Sequence, residues 1–261
     1  MKLDLTGKTA LVTASTGGIG FAIVRGLLDC GSNVIITGRS DSSVEHAKAA
    51  LFREFPDANI SAVIADFSSE SGCTSVINQV KDVDILVNNA GIYGPQDFYE
   101  TDDEKWNEFW ETNVMSGVKL ARAFTPQMVE KKWGRVVFIS SESARNIPAD
   151  MIHYGVSKTA QLSLSRGLAK RLAGTGVTVN AVLPGPTLSS GFKDMFPDLN
   201  GDELLAAAKD FVMTQRPSSV IQRAASTDEV ANMVVYVCSP LSSATSGAAL
   251  RVDGGVVDDI V

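Results

Sequence analysis

Residues Thr9–Gly20 read TALVTASTGGIG. The first five, Thr9–Thr13, are a short apolar run of the kind that a strand covered on both faces requires. Thr13-Ala14-Ser15-Thr16-Gly17-Gly18-Ile19-Gly20 then makes a glycine turn into a helix. Ile19, Ile23 and Leu27 recur every four residues, so they share one helix face. Gly31 can end that helix in a left-handed cap. Glycines between a strand and a helix let the backbone approach a pyrophosphate. Free N–H groups and the helix dipole attract anions there. Thr13, Ser15, Thr16, Gly17, Gly18, Ile19 and Gly20 are therefore candidate cofactor contacts. An ordinary tight turn without a ligand would use the same glycines.

Outward from this unit the alternation continues. Asn33–Thr37 reads as a second strand, Ser42–Phe55 as a helix closed by Pro56, and Ile60–Ala65 as a third strand. Cys73–Val80 is a short helix and Ile85–Val87 a fourth strand. One long helix is expected over Glu104–Lys131. Strands follow at Arg135–Ile139 and Val177–Leu183, separated by a helix from Ile152 to Ala173. Thr227, Asp228 and Glu229 form a capping signature for a helix ending at Cys238, and Ala248–Val252 closes the pattern. This order builds right-handed βαβ units on a parallel sheet. The expected fold is α/β, a single-domain, Rossmann-like, doubly wound parallel sheet with helices on both faces, spanning 1–261. Residues 187–225 resist assignment. That stretch is polar, with apolar points at Phe192, Met195, Phe196 and Phe211, and it is expected to be an insertion folding over the site as a lid.

The bulk numbers set limits. The net charge of −7 argues against a polyanionic partner such as nucleic acid. No signal-peptide pattern opens the chain, and no window approaches about eighteen apolar residues, so no membrane partner is expected. Cys30, Cys73 and Cys238 are scattered and His46 and His153 lie far apart, so no metal site is expected. A reduced, cytoplasmic setting is the default.

The end of the second strand bears on the cofactor. A carboxylate there would accept the ribose hydroxyls of NAD. This chain has Gly38-Arg39-Ser40. Gly38 leaves room, and Arg39 offers a cation to the 2′-phosphate of NADP. A solvated surface arginine would look the same.

Tyr154 and Lys158 stand four apart in a helical stretch and share a face. A free tyrosine ionises near pH 10, and a nearby ammonium favours the phenolate. Such a pair suits general acid–base catalysis. Alone the spacing is weak. Ser140-Ser141 follow the strand Arg135–Ile139, at the carboxyl end where such sheets place their sites, and Ser141 could donate to a substrate oxygen. Asn88-Asn89-Ala90-Gly91 and Pro184-Gly185-Pro186-Thr187 follow the fourth and sixth strands in equivalent places.

Taken together these residues resemble the short-chain dehydrogenase/reductase family, from about Leu5 to Val256. The marks are Gly18-Ile19-Gly20, Asn88–Gly91, Asn113, Ser141, Tyr154 with Lys158, Pro184-Gly185, and Val252-Asp253-Gly254-Gly255. The resemblance implies hydride exchange between NADP(H), or less favoured NAD(H), and a carbonyl or alcohol carbon. The substrate would be a ketone, a 3-oxoacyl group, a polar alcohol or a sugar acid. It implies that Tyr154 exchanges the proton, that Lys158 bonds the nicotinamide ribose and depresses the tyrosine pKa, and that Ser141 orients the substrate. Asn113 would hold a water linking Lys158 to solvent. Asp66, with Phe67, would meet the adenine. Asn89, Ala90 and Gly91 would pass beside the adenosine ribose, and Pro184, Gly185 and Thr187 would seat the nicotinamide. The family usually has glycine where this chain has Ala14, acceptable if φ there is negative.

Substrate contacts are expected from Glu142–Asp150, Ile92–Phe98 and the 187–225 stretch, with Glu142, Asn146 and His153 as polar groups near Ser141 and Tyr154. The resemblance also implies a homo-oligomer, a dimer or homotetramer paired through the two long helices. Two readings from other classes stand beside it: a non-catalytic NADP(H)-binding regulatory protein, against which the intact Ser141, Tyr154 and Lys158 argue, and a structural lookalike. The Arg39 reading is tested by kcat/KM for the two cofactors. NADP(H) should be preferred and Arg39→Asp should reduce the preference; a wild-type preference for NAD(H) would sink it.

Overall fold

The computed structural model describes residues 3–260. The apolar runs become seven parallel strands: β1 (Thr9–Val12), β2 (Asn33–Gly38), β3 (Ile60–Ile64), β4 (Ile85–Asn88), β5 (Gly134–Ile139), β6 (Val177–Pro184) and β7 (Ala249–Val252). Their order in the sheet is β3-β2-β1-β4-β5-β6-β7. The chain winds outward from β1 to β3, then returns to β4 beside β1 and winds the other way. Leu11 thus pairs with Ile35 on one side and Leu86 on the other. The reversal leaves a crevice at the strands' carboxyl ends, where open α/β sheets bind ligands.

Helices cover both faces. On one, α1 (Gly18–Asp29) and α9 (Thr227–Cys238) bury Ile23, Leu27, Val230 and Val234 against the sheet. On the other, α3 (Glu70–Gln79) and α5 (Ser116–Glu130) bury Val76, Leu120, Phe124 and Met128. Burial on both faces is why the strands are apolar throughout. The chain also forms α2 (Asp41–Glu54), α4 (Asp103–Trp110) and α6 (Ile152–Arg171). No helix among the described residues is long and apolar enough to cross a membrane.

Four local expectations change. The long helix expected over Glu104–Lys131 is broken: α4 and α5 are joined by a π-turn, Glu111–Met115, that inserts an extra residue next to the site. The capping box of α9 belongs to Ser226, one residue earlier than expected. Its side chain accepts from the Glu229 amide, and the Glu229 carboxylate accepts from the Ser226 amide. The unassigned stretch is ordered: α7 (Ser190–Lys193) and α8 (Gly201–Gln215) gather Phe192, Phe196, Phe211 and Val212 into a small core of their own.

Finally, Ala14 has φ +50, so the negative φ expected of a non-glycine is not found. An L-residue there carries a penalty of about 1–2 kcal/mol. The strain is held by hydrogen bonds: the Ala14 amide donates to Thr37 Oγ1 at 2.9 Å, and its carbonyl accepts from Asn89 Nδ2 at 3.0 Å.

Candidate active site

The glycine turn is tied to its neighbours before it can meet a ligand. Thr13 Oγ1 donates to the Val87 carbonyl and accepts from the amides of Asn89 and Ala90, both at 2.8 Å. Ser15 Oγ donates to Val12 O and accepts from the Thr37 amide. Both side chains therefore lace β1 to β4 and β2. Gly20 is needed for approach: a Cβ there would stand 2.6 Å from Ala14 O and from Asn89 Nδ2. Thr16 packs its methyl toward Gly38. Gly17 caps α1 with no side-chain hydrogen bond, so the first-turn N–H groups are left for another acceptor.

Arg39 is exposed at the end of β2. Its charge reaches Asp66, whose carboxyl is held below its ordinary value first by the backbone and hydroxyl bonds of Ser68 and then by Arg39. Phe67 and Ala90 are buried in the core on the α5 side of the sheet.

Above the crevice lies a cleft of about 310 Å³. Ile19, Asn89, Gly91, Ser141, Tyr154, Lys158, Pro184, Gly185 and Thr187 all line it, so four strand ends and α6 converge as the sequence anticipates. The three expected substrate segments reach it through Ile92, Tyr93 and Pro95, through Glu142 and Asp150, and through Phe192, Met195, Phe211 and Arg216. Two expected polar groups do not line it. Asn146 is exposed, and His153 is buried with its ring 4.3 Å from that of Phe109, where burial lowers its pKa.

Lys158 is held from two sides. Its Nζ donates to Ile139 O, the last carbonyl of β5, at 2.8 Å, and its own carbonyl accepts from Ser140 Oγ at 2.8 Å. Asn113 sits behind it in the π-turn. Its Oδ1 accepts from the Ile92 amide at 2.7 Å, its Nδ2 donates to Ile92 O and Ser157 Oγ, and its carbonyl accepts from Gln161 Nε2 at 2.6 Å.

Tyr154 shares a hydrogen bond with Ser141, and its ring lies 5.6 Å from Lys158 Nζ. Desolvation dominates both groups. It pushes the tyrosine up to about 12, against the lowering effect of Ser141, and brings Lys158 down to about 7. The sequence leads one to expect the lysine to pull the tyrosine down. Buried this deeply, Lys158 is close to losing its charge at neutral pH, and the phenol stays protonated.

One pair escapes sequence reasoning. Arg216, at the end of α8, sets Nε 2.8 Å from Glu142 Oε1. The partners are 74 residues apart, and nothing in local periodicity joins them.

A family model described as short chain dehydrogenase matches residues 8–200. The chain belongs to the short-chain dehydrogenase family. It is 45% identical over 263 aligned positions, covering 100% of both chains, to an uncharacterized oxidoreductase of Bacillus subtilis, YvaG. It is 31% identical to the 3-oxoacyl-[acyl-carrier-protein] reductase of Aquifex aeolicus, over 98% of this chain and 100% of that one. Among solved structures, L-sorbose reductase from Gluconobacter frateurii, complexed with NADPH and L-sorbose, superposes with a TM-score of 0.90 at 30% identity and 100% coverage of both chains. A putative NAD(P)-dependent gluconate 5-dehydrogenase from Beutenbergia cavernae, with bound NADP, gives 0.86 at 30% identity, over 99% of this short-chain dehydrogenase and 100% of that chain.

The buried lysine has a measurable signature. Lys158 loses its proton near pH 7 when folded and near its ordinary 10.5 when unfolded. Between these values the unfolded chain binds more protons, so stability rises with pH. The steepest slope is about 1.4 kcal/mol per pH unit. The Cys238 thiol, pushed by burial from 9.0 up to about 12, opposes it above about pH 9, and Tyr154 above its own ordinary value of 10. Denaturant unfolding without added nucleotide should show this rise from about pH 7 to 9, and Lys158→Met should flatten it; parallel curves for the two proteins would contradict it.

Proposed function

We propose that this short-chain dehydrogenase is an NADP(H)-dependent oxidoreductase acting on the carbonyl or alcohol carbon of a small polar molecule, with Tyr154 as the acid–base group. The observation that carries it is the meeting of Ser141, Tyr154 and Lys158 in one cleft, with the Tyr154 ring 5.6 Å from Lys158 Nζ.

The residues fit a dinucleotide. The first turn of α1 has unfilled N–H donors, Arg39 and Asp66 flank the adenosine end, and the cleft continues from Asn89 and Gly91 to Pro184 and Thr187. Arg39 favours a 2′-phosphate, and two similar structures carry NADPH or NADP. When bound, the nicotinamide supplies or accepts the hydride.

The chain's own groups do the rest. In reduction, the Tyr154 hydroxyl donates its proton to the substrate oxygen, and the Ser141 hydroxyl donates a hydrogen bond that orients that oxygen. Lys158, whose Nζ lies 5.6 Å from the centre of the Tyr154 ring and which can exchange a proton near neutral pH, is the group that resupplies the phenol's proton. Asn113 orders the path from Lys158 to solvent by fixing Ile92 and Ser157. The 187–225 segment acts as a lid. Atoms of Ser189 and Ser190 lie within 4 Å of where a methyl on Gly18 would stand, and Phe192 and Met195 face the cleft, so closure there excludes water. Assembly through α4, α5 and α6 is part of the same reading, with Trp110 and Val156 exposed on them.

The test is a screen of ketones, ketoses, polyols and oxoacyl thioesters followed by nicotinamide absorbance, with Tyr154→Phe beside the wild type. The substitution should lower kcat at least about 100-fold and leave cofactor binding in place. Full activity in Tyr154→Phe would overturn the mechanism.

A further inference from the structure

Glu142 follows Ser141 directly, at the carboxyl end of β5. It is 3% exposed and lines the cleft. Oε1 is well served, accepting from Arg216 Nε at 2.8 Å and Ser143 Oγ at 3.2 Å. Oε2 is buried and has no partner among the described residues. A buried carboxylate oxygen without a donor is costly, so a group that is built this way and lines a binding cleft calls for a donor from the ligand. Arg216 completes the arrangement. Its Nη1 is spent on the Gln215 carbonyl, and Nη2 makes no hydrogen bond among the described residues. Both partners act electrostatically on the Tyr154 hydroxyl, in opposite senses, so the pair stands close to the reacting centre.

We propose that the Glu142–Arg216 pair recognises a hydroxyl next to the reacting carbon, Glu142 Oε2 accepting from it and Arg216 donating to it, so that the substrate is a neutral polyhydroxylated ketone or alcohol. This rests on the proposed oxidoreductase function and narrows its substrate. A hydroxyl both donates and accepts, which matches the free acceptor and free donor of the pair. An anionic group is disfavoured. The positive charge of Arg216 is already matched by Glu142, Asp150 adds a second carboxylate to the wall, and Lys158 is nearly neutral. An acyl thioester offers a methylene at that position and would leave Oε2 unpaired. Phe192, Met195 and Phe211 supply apolar surface for the carbon skeleton. Arg216 comes from the end of α8, so the same contact couples substrate recognition to the segment over the cleft.

The test compares hydroxyacetone with butanone, in which a methyl replaces the hydroxyl. The double substitution Glu142→Leu with Arg216→Met removes both charges together, which a buried pair tolerates far better than the loss of one. Wild type should favour hydroxyacetone in kcat/KM, and the ratio should fall at least about tenfold in the double variant. The inductive effect of the hydroxyl is common to both proteins and cancels. An unchanged ratio, or a wild-type preference for butanone or an oxoacyl thioester, overturns the proposal while leaving the oxidoreductase reading intact. Ligand-observed NMR gives a readout independent of turnover. Wild type should broaden the hydroxyacetone resonances more than those of butanone; equal broadening overturns the role of the pair. If no ketone or alcohol is turned over by any protein, the function fails, and the broadening still decides the recognition.

Discussion

Desolvation of two ionisable side chains one helical turn apart is the constraint around which the site is organised. Lys158 is buried and Tyr154 half-buried at the carboxyl end of β5, and desolvation drives each toward its neutral form. A buried ammonium with no carboxylate beside it is expensive, and the fold meets the cost with dipoles. Ile139 O receives Nζ, and Ser140 fixes the backbone of the lysine from the next position along the chain. The ending of β5 therefore does three things within three residues: it anchors Lys158, positions it through Ser140, and presents Ser141 to Tyr154.

The rest of the molecule holds that ending still. The switch in winding direction between β1 and β4 opens the crevice, and the internal bonds of Thr13 and Ser15 keep its floor closed. The π-turn between α4 and α5 turns Asn113 inward, where its amide joins the Ile92 loop to Ser157 on α6. Glu142 and Arg216 then join the floor of the cleft to α8. Each link crosses between elements far apart in sequence, so the site depends on the completed fold.

The same dependence separates what could be read from the sequence from what could not. The sheet was legible because its strands are buried on both faces and announce themselves as apolar runs between glycine turns. Ser141, Tyr154 and Lys158 were legible because each follows or faces a strand end at fixed local spacing. The π-turn was not, because the apolar period of Glu104–Lys131 continues through one inserted residue. The positive φ of Ala14 was not, because tertiary hydrogen bonds from Thr37 and Asn89 hold a conformation that alanine does not prefer. The Glu142–Arg216 contact and the upward direction of the tyrosine shift were hidden for one shared reason. Both depend on burial among distant elements, which local spacing does not encode.

The most direct measurement is the ionisation of Tyr154 itself. The chain has four tyrosines, so carbon-13 labelling of the phenol carbon gives few resonances, and Tyr154→Phe identifies the one that matters. In the nucleotide-free protein that carbon should remain at its protonated position from about pH 6 to about pH 10, the ordinary tyrosine value. A shift to the phenolate position below about pH 8 would show that Lys158 keeps its charge and outweighs burial, and would contradict a site governed by desolvation.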